Sequence, residues 1–306
     1  GVAFALFANL SSARGLVRER GPAARRMRAL VAEHDAVIAR LPSEIGLLAV
    51  AAARRQGKPW AVEVAGCPWD GLWHYGSLAG RVYAPVAWWR MRRALAAADH
   101  AIYVTRAFLQ TRYPTRAANL AWASNVVLPE VPETALTRRL ARIAEVRERT
   151  LRLGLIGTLS GRFKGIQTLL MALAMVRDRL PPIAVHILGG GDPAPWRAEA
   201  ERTGVADLVH FDGTLPAGQA VLDWLDGIDV YLQPSFKEGL PRALVEAMSR
   251  ACPALASTAA GIPELLARED LVRPGDANRL ATLLAERLVD TAWMEASARR
   301  NWRTAS

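Results

Sequence analysis

The chain has 306 residues, 51% of them hydrophobic and 22% charged, with 18 prolines. That is the length of about two domains and the composition of a globular protein, which excludes a disordered chain. The formal net charge is +10, carried almost wholly by arginine, since Lys58, Lys164 and Lys237 are the only lysines. Such an excess invites an anionic partner. The basic residues are scattered, however, and no basic tail or zinc-finger spacing accompanies them, so no nucleic-acid partner is expected. Cys67 and Cys252 form no metal-like pair, which argues for a reducing compartment and against a disulfide scaffold. No run approaches the roughly 18 apolar residues of a membrane span. The apolar start, Gly1 to Ala8, lacks a basic leader and reads as a buried segment of a truncated chain rather than a secretion signal.

Short β-rich runs alternate with longer helical ones, which predicts βα units on parallel sheets. In the first half, strands are expected at 36–39, 60–65 and 101–105, with a further run at 120–123. Helices are expected at 44–55, 83–98 and 107–112, and Gly66 to Gly71 reads as a break. No opening strand is legible before Ala36. Residues 128–150, with Pro129 and Pro132 ahead of a charged helical stretch, read as a linker after a domain at 1–127. The second half predicts strands at 151–157, 183–188, 208–212, 228–233, 253–257 and 270–272. Helices fall at 165–179, 194–203, 217–226, 241–250, 261–267 and 276–289, and a C-terminal helix at 291–306. This alternation over 151–290 predicts a doubly wound domain, whose ligands bind beyond the carboxyl ends of the strands.

Three loops there carry chemistry. In Ile156-Gly157-Thr158-Leu159-Ser160-Gly161-Arg162-Phe163-Lys164-Gly165, a strand runs through glycines and cations into a helix start, a setting that suits a diphosphate. Solvated cations at a helix start are an equal alternative. Leu188-Gly189-Gly190-Gly191-Asp192-Pro193 lets backbone pass close to a nucleotide, or is simply a tight turn. The third loop is Pro234-Ser235-Phe236-Lys237-Glu238-Gly239-Leu240-Pro241, followed by a helix carrying Glu246. Two carboxylates suit the vicinal hydroxyls of ribose and hexose, and the free amides of the helix start suit a phosphate or sugar oxygen. Glu246 follows apolar positions, where an acid with no partner is costly; a surface salt bridge is the alternative reading.

Glu238 and Glu246, separated by seven residues, resemble the paired-glutamate signature of retaining glycosyltransferases of family four. Gly157 to Gly165 is similar to that family's phosphate loop, and Pro253 to Ser257, Gly261 to Leu265 and Val272 to Asp276 continue the likeness. The resemblance implies a GT-B fold, two Rossmann-like doubly wound parallel-sheet domains facing a cleft, the N-terminal one incomplete. It implies that Gly157, Thr158, Arg162 and Lys164 hold the donor diphosphate. Glu238, Gly239, Leu240 and Pro241 would hold the donor sugar, with Glu238 catalytic. Glu246 would hold the ribose, and Gly190, Gly213 and Leu215 would lie near the base. Thr158 departs from the arginine many members carry, leaving Arg162 to compensate.

The first half resembles the acceptor domain of capsule and exopolysaccharide transferases less specifically, through Glu63 to Asp70 and Tyr103 to Pro114. Many relatives have a His where this chain has Val64-Ala65-Gly66, so His74, in Trp73-His74-Tyr75-Gly76, becomes the second catalytic candidate, although a lone His is more often structural. The implied reaction moves a hexose from a UDP- or GDP-linked sugar to a glycan or polyprenyl-linked acceptor, with retention. No cofactor or metal is expected, and the implied setting is cytoplasmic surface-polysaccharide synthesis, such as capsule or lipopolysaccharide. The rivals are a sugar-nucleotide 2-epimerase and a catalytically silent nucleotide-sugar-binding subunit. Trp88-Trp89-Arg90-Met91-Arg92-Arg93 suits a peripheral contact with the inner membrane face, although core packing is the favoured reading of these tryptophans.

Overall fold

The computed structural model describes residues 2–10, 12–74, 77–128 and 131–306; Gly1, Tyr75, Gly76 and Pro129, named above, lie outside them. The chain divides into two compact units, Gly1–Ser124 and Asn125–Ser306.

The first unit runs α1 (Ala13–Ala32), β1 (Val37–Leu41), α2 (Glu44–Arg55), β2 (Trp60–Val64), α3 (Pro68–His74), α4 (Leu78–Leu95), β3 (His100–Tyr103), α5 (Phe108–Arg112) and β4 (Asn119–Trp122). Its four parallel strands follow the order β1-β2-β3-β4. A sheet that grows in one direction through right-handed crossovers carries its crossover helices on one face. The burial agrees: Ala39, Leu41, Val62, Val64, Ala101 and Tyr103 are buried, whereas Ile38, which alternates with them, is 80% exposed.

Ser43 and Ser77 cap α2 and α4 by accepting hydrogen bonds from the amides of Gly46 and Gly80. Three expectations need correction here. α1 is unforeseen, because Gly21-Pro22 in its middle reads as a break. The usable signals were the Ser12 cap and the buried spacing of Ala23, Met27 and Val31. α3 replaces much of the expected break at 66–71, since Cys67 accepts from the Asp70 amide and closes its first turn. Val2, Phe4 and Leu6 are exposed rather than buried.

The second unit runs α6 (Glu133–Ala144), β5 (Leu151–Ile156), α7 (Ile166–Val176), β6 (Ile183–Leu188), α8 (Ala194–Arg202), β7 (Val209–Gly213), α9 (Gln219–Asp226), β8 (Val230–Gln233), α10 (Arg242–Ser249), β9 (Ala254–Ser257), β10 (Leu271–Val272), α11 (Ala277–Arg287) and α12 (Thr291–Ala305). The parallel order is β10-β9-β8-β5-β6-β7. The sheet therefore grows outward from β5 in both directions, and its switch point lies between β5 and β8. Every residue of β8 and β9 is buried, as expected of central strands covered on both faces. The helix expected at 261–267 is only a short 3-10 turn at Ile262–Glu264, too brief to propagate as a helix.

The 128–150 stretch supplies α6, which packs on α12 within this unit. Buried Arg139 donates to the carbonyls of Leu225 at 2.9 Å and Arg250 at 3.2 Å, to Ile228, and to Cys252 Sγ at 2.9 Å. Arg142 and Arg149 both grip Asp229 at 2.6 Å. Burial alone would raise the pKa of Asp229, but Arg149, the Arg152 amide and Arg142 outweigh it and hold the carboxyl below its ordinary value.

Candidate functional site

At the carboxyl edge of the second sheet the loops are laced together by backbone. The Gly157 amide donates to Leu188 at 2.9 Å, Leu159 to Gly190 at 2.8 Å, and Gly189 to Gly213 at 2.7 Å. Phe236 donates to Phe163 at 2.8 Å, and Gly261 to Gly239 at 3.0 Å. Two glycines permit this closeness. A Cβ on Gly189 would lie 1.9 Å from the Gly157 carbonyl oxygen, and one on Gly165 would lie 1.9 Å from that of Pro234. Gly165 also has φ of 77°, the left-handed region that other residues disfavour. The loops after β5 and β8 are thereby drawn together at the switch point.

Lys164 and Glu238 meet there. Lys164 Nζ donates to Glu238 Oε1 at 2.7 Å, with side chains only 18% and 10% exposed. The same oxygen accepts from Gln233 Nε2 at 2.9 Å and Ser235 Oγ at 2.7 Å. Behind them the Tyr231 hydroxyl donates to Gln233 at 2.7 Å, and Ser257 donates to the Ser235 carbonyl at 2.5 Å. Burial pushes the Tyr231 phenol well above its ordinary pKa, so it stays a neutral donor. This buried polar chain fixes the orientation of Glu238. Sequence reasoning missed Tyr231, Gln233, Ser235 and Ser257. Their signal was polar groups at the ends of two otherwise apolar strands, where burial demands partners.

Gly239 and Leu240 are half-buried and Pro241 is buried in the loop entering α10, whose first turn has no side-chain cap. Glu246 is half-buried on α10, and its side-chain carboxyl has no hydrogen-bond partner among the described residues. Burial raises its pKa, while Arg242 acts in the opposite direction. Thr158 is turned into the loop, donating to the Gly190 carbonyl at 3.2 Å. Gly190 faces the Thr214 methyl, Gly213 has φ of 74°, and Leu215 is 39% exposed.

Arg162 is held elsewhere. It pairs with both oxygens of Glu199 at 2.9 Å and lies over the Trp196 ring at 5.3 Å. The structure thus unites Lys164 with Glu238 and assigns Arg162 to α8. His74 is half-buried at the end of α3 in the first unit. Among the described residues no three His, Cys, Asp or Glu side chains gather as a metal would require.

Known proteins match this frame. The family described as Glycosyl transferases group 1 matches residues 150–290. Protein CapJ of Staphylococcus aureus is 27% identical over 271 residues, covering 89% of this chain and 67% of CapJ. The protein named Putative colanic acid biosynthesis glycosyltransferase WcaL, of Escherichia coli, is 33% identical over 135 residues, 40% of this chain and 32% of WcaL. The chain therefore spans about a third of WcaL's length. Sucrose-phosphate synthase from Thermosynechococcus elongatus superposes with a TM-score of 0.75 at 19% identity, covering 96% of this chain and 74% of that one. Anabaena HepE, solved with UDP-glucose, superposes with a TM-score of 0.70 at 19% identity, covering 99% and 80%. These likenesses show an α/β fold of two parallel sheets of the GT-B type.

Proposed function

We propose that the chain, whose residues 150–290 match the family described as Glycosyl transferases group 1, moves a hexose from a nucleoside diphosphate sugar to a hydroxyl of a glycan or polyprenyl-linked acceptor, with retained configuration. The proposed setting is bacterial surface-polysaccharide synthesis, as the name of the WcaL relative suggests for that protein. The supporting observation is the Lys164–Glu238 contact of 2.7 Å at the switch point, where doubly wound sheets take their ligands.

In this reading Lys164 and the α10 start carry the charge of the leaving diphosphate. Glu238, released from Lys164 as the donor enters, accepts from sugar hydroxyls, and Glu246 accepts from the ribose. The bond from the anomeric carbon to the phosphate oxygen breaks, its electron pair staying on the diphosphate. The acceptor oxygen bonds to the anomeric carbon and its proton passes to a base. Gly157 and Thr158 shape the diphosphate loop, and Gly190, Gly213 and Leu215 border the base. Arg162 contributes only if it leaves Glu199. No metal takes part, so chelator would leave the rate unchanged.

Calorimetric titration with UDP, GDP and ADP tests the reading. One nucleotide should bind tightly, and both Lys164→Ala and Glu246→Gln should weaken it. A folded sample that binds none, or variants that bind as well as the parent, would overturn it.

A further inference from the structure

The net charge of the chain belongs to one unit. Residues 1–124 carry 17 Lys and Arg against 7 Asp and Glu, whereas residues 125–306 carry 22 of each. α4 concentrates the imbalance, with Arg81, Arg90, Arg92 and Arg93 and no acidic residue. Arg90 is neutralised by Glu44, which it holds at 2.6 and 2.8 Å. The other three have no acidic partner among the described residues. Each lies over a tryptophan instead: Arg81 over Trp73 at 5.8 Å, Arg92 over Trp88 at 4.7 Å and Arg93 over Trp89 at 5.5 Å.

The same helix exposes an apolar line. Leu78, Val82, Val86 and Trp89 are 79%, 79%, 47% and 54% exposed. Steps of four, four and three residues keep them on one face, over about 16 Å of helix at ~1.5 Å per residue. This face is not the one that packs, because Ala84, Ala87, Met91, Ala94 and Leu95 bury the opposite side of α4. The expectation that both tryptophans are core therefore fails for Trp89, while Trp88 is half-buried.

We propose that this face of α4 docks on the surface of a bilayer containing anionic lipid. Leu78, Val82, Val86 and Trp89 enter the boundary between headgroups and acyl chains, and Arg81, Arg92 and Arg93 meet lipid phosphates. A nucleic acid would satisfy the arginines but give the aliphatic line nothing. A second copy would cover the line but oppose like charge with like charge. Only a surface both apolar within and anionic at its rim answers both features. No helix of the described residues is long and apolar enough to cross a membrane, so the contact is peripheral. The inference stands independently of the reaction proposed above.

Flotation of the whole chain with phosphatidylcholine vesicles, and with vesicles also containing phosphatidylglycerol, tests it. Three arginines at the surface predict binding about 100-fold tighter to the anionic vesicles, suppressed by high salt. Val82→Asp with Trp89→Asp should abolish binding, and Arg92→Gln with Arg93→Gln should cut the preference for anionic lipid to about fivefold, the share of Arg81 alone. Circular dichroism melting confirms that the variants are folded. Equal binding to both vesicle types, or undiminished binding by the folded Val82→Asp/Trp89→Asp variant, overturns the proposal. So does vesicle indifference together with heparin binding or with a dimer that Val82→Asp dissolves.

Discussion

In residues 125–306 the charges balance and the buried acids are paired with arginines, whereas in residues 1–124 arginines outnumber acids and many face solvent. The second unit buries Asp229 beneath Arg142 and Arg149 and fully buries Asp270 against Arg300 and the Trp293 indole. It also holds Arg139 in a cage of carbonyls. These groups tie α6 and α12 to a sheet covered on both faces. The first unit has a sheet wound in one direction and an arginine-bearing helix with an uncovered apolar line. Charge acts as internal fastening in one unit and as an outward address in the other.

Breaking that contrast should have its largest effect on Asp229. Replacing it with Ala strands two arginines and should destabilise the chain by about 3–5 kcal/mol, measured by urea unfolding. Because its folded pKa is depressed, Asp229 contributes stability above its unfolded pKa, and this is lost as pH falls through the folded value. The Asp229→Asn variant should therefore show a shallower loss of stability on acidification. Arg93→Ala, by comparison, should leave the unfolding midpoint within experimental error.

The next effect in size is on the reaction. Lys164→Ala should lower kcat/KM by about 100-fold, the scale for removing one charge-stabilising donor, and should also lower the melting temperature, because the largely buried Glu238 loses its cation. Steady-state transfer assays with the nucleotide sugar chosen by titration would read this. Arg162→Ala should cost much less, because Glu199 already claims that guanidinium.

Glu246 gives the smallest and sharpest test. Glu246→Gln should weaken nucleotide binding by about tenfold, the lower range for a hydrogen bond to a charged acceptor. In the parent, affinity should fall as pH drops through the raised pKa of Glu246, above the ordinary 4.5. The stability sign runs the other way. A raised folded pKa gives stability that is full below the unfolded value and lost as pH rises through the folded one. Glu246→Gln should thus melt no lower than the parent at neutral pH, and slightly higher where the carboxylate is charged.

How much of this was legible follows from what each signal depends on. The alternation of apolar runs, the glycine loop at 157–165 and the spacing of Glu238 from Glu246 are local, so the sequence alone determined the parallel α/β architecture and the glycosyltransferase resemblance. The limits of α2 were legible as well, because Ser43 and Pro42 act on their neighbours, whereas α4 begins five residues before the expected 83, at the Ser77 cap. What joins residues far apart in the chain was decided only by tertiary structure. The pairing of Lys164 with Glu238, the capture of Arg162 by Glu199, the bond from Ser257 to the Ser235 carbonyl and the building of α6 into the second unit are all long-range contacts. So is the exposure of Trp89, since an apolar residue on a helix is core or surface according to what packs against it. Periodicity tells a residue which face it shares; only the folded chain decides what that face meets.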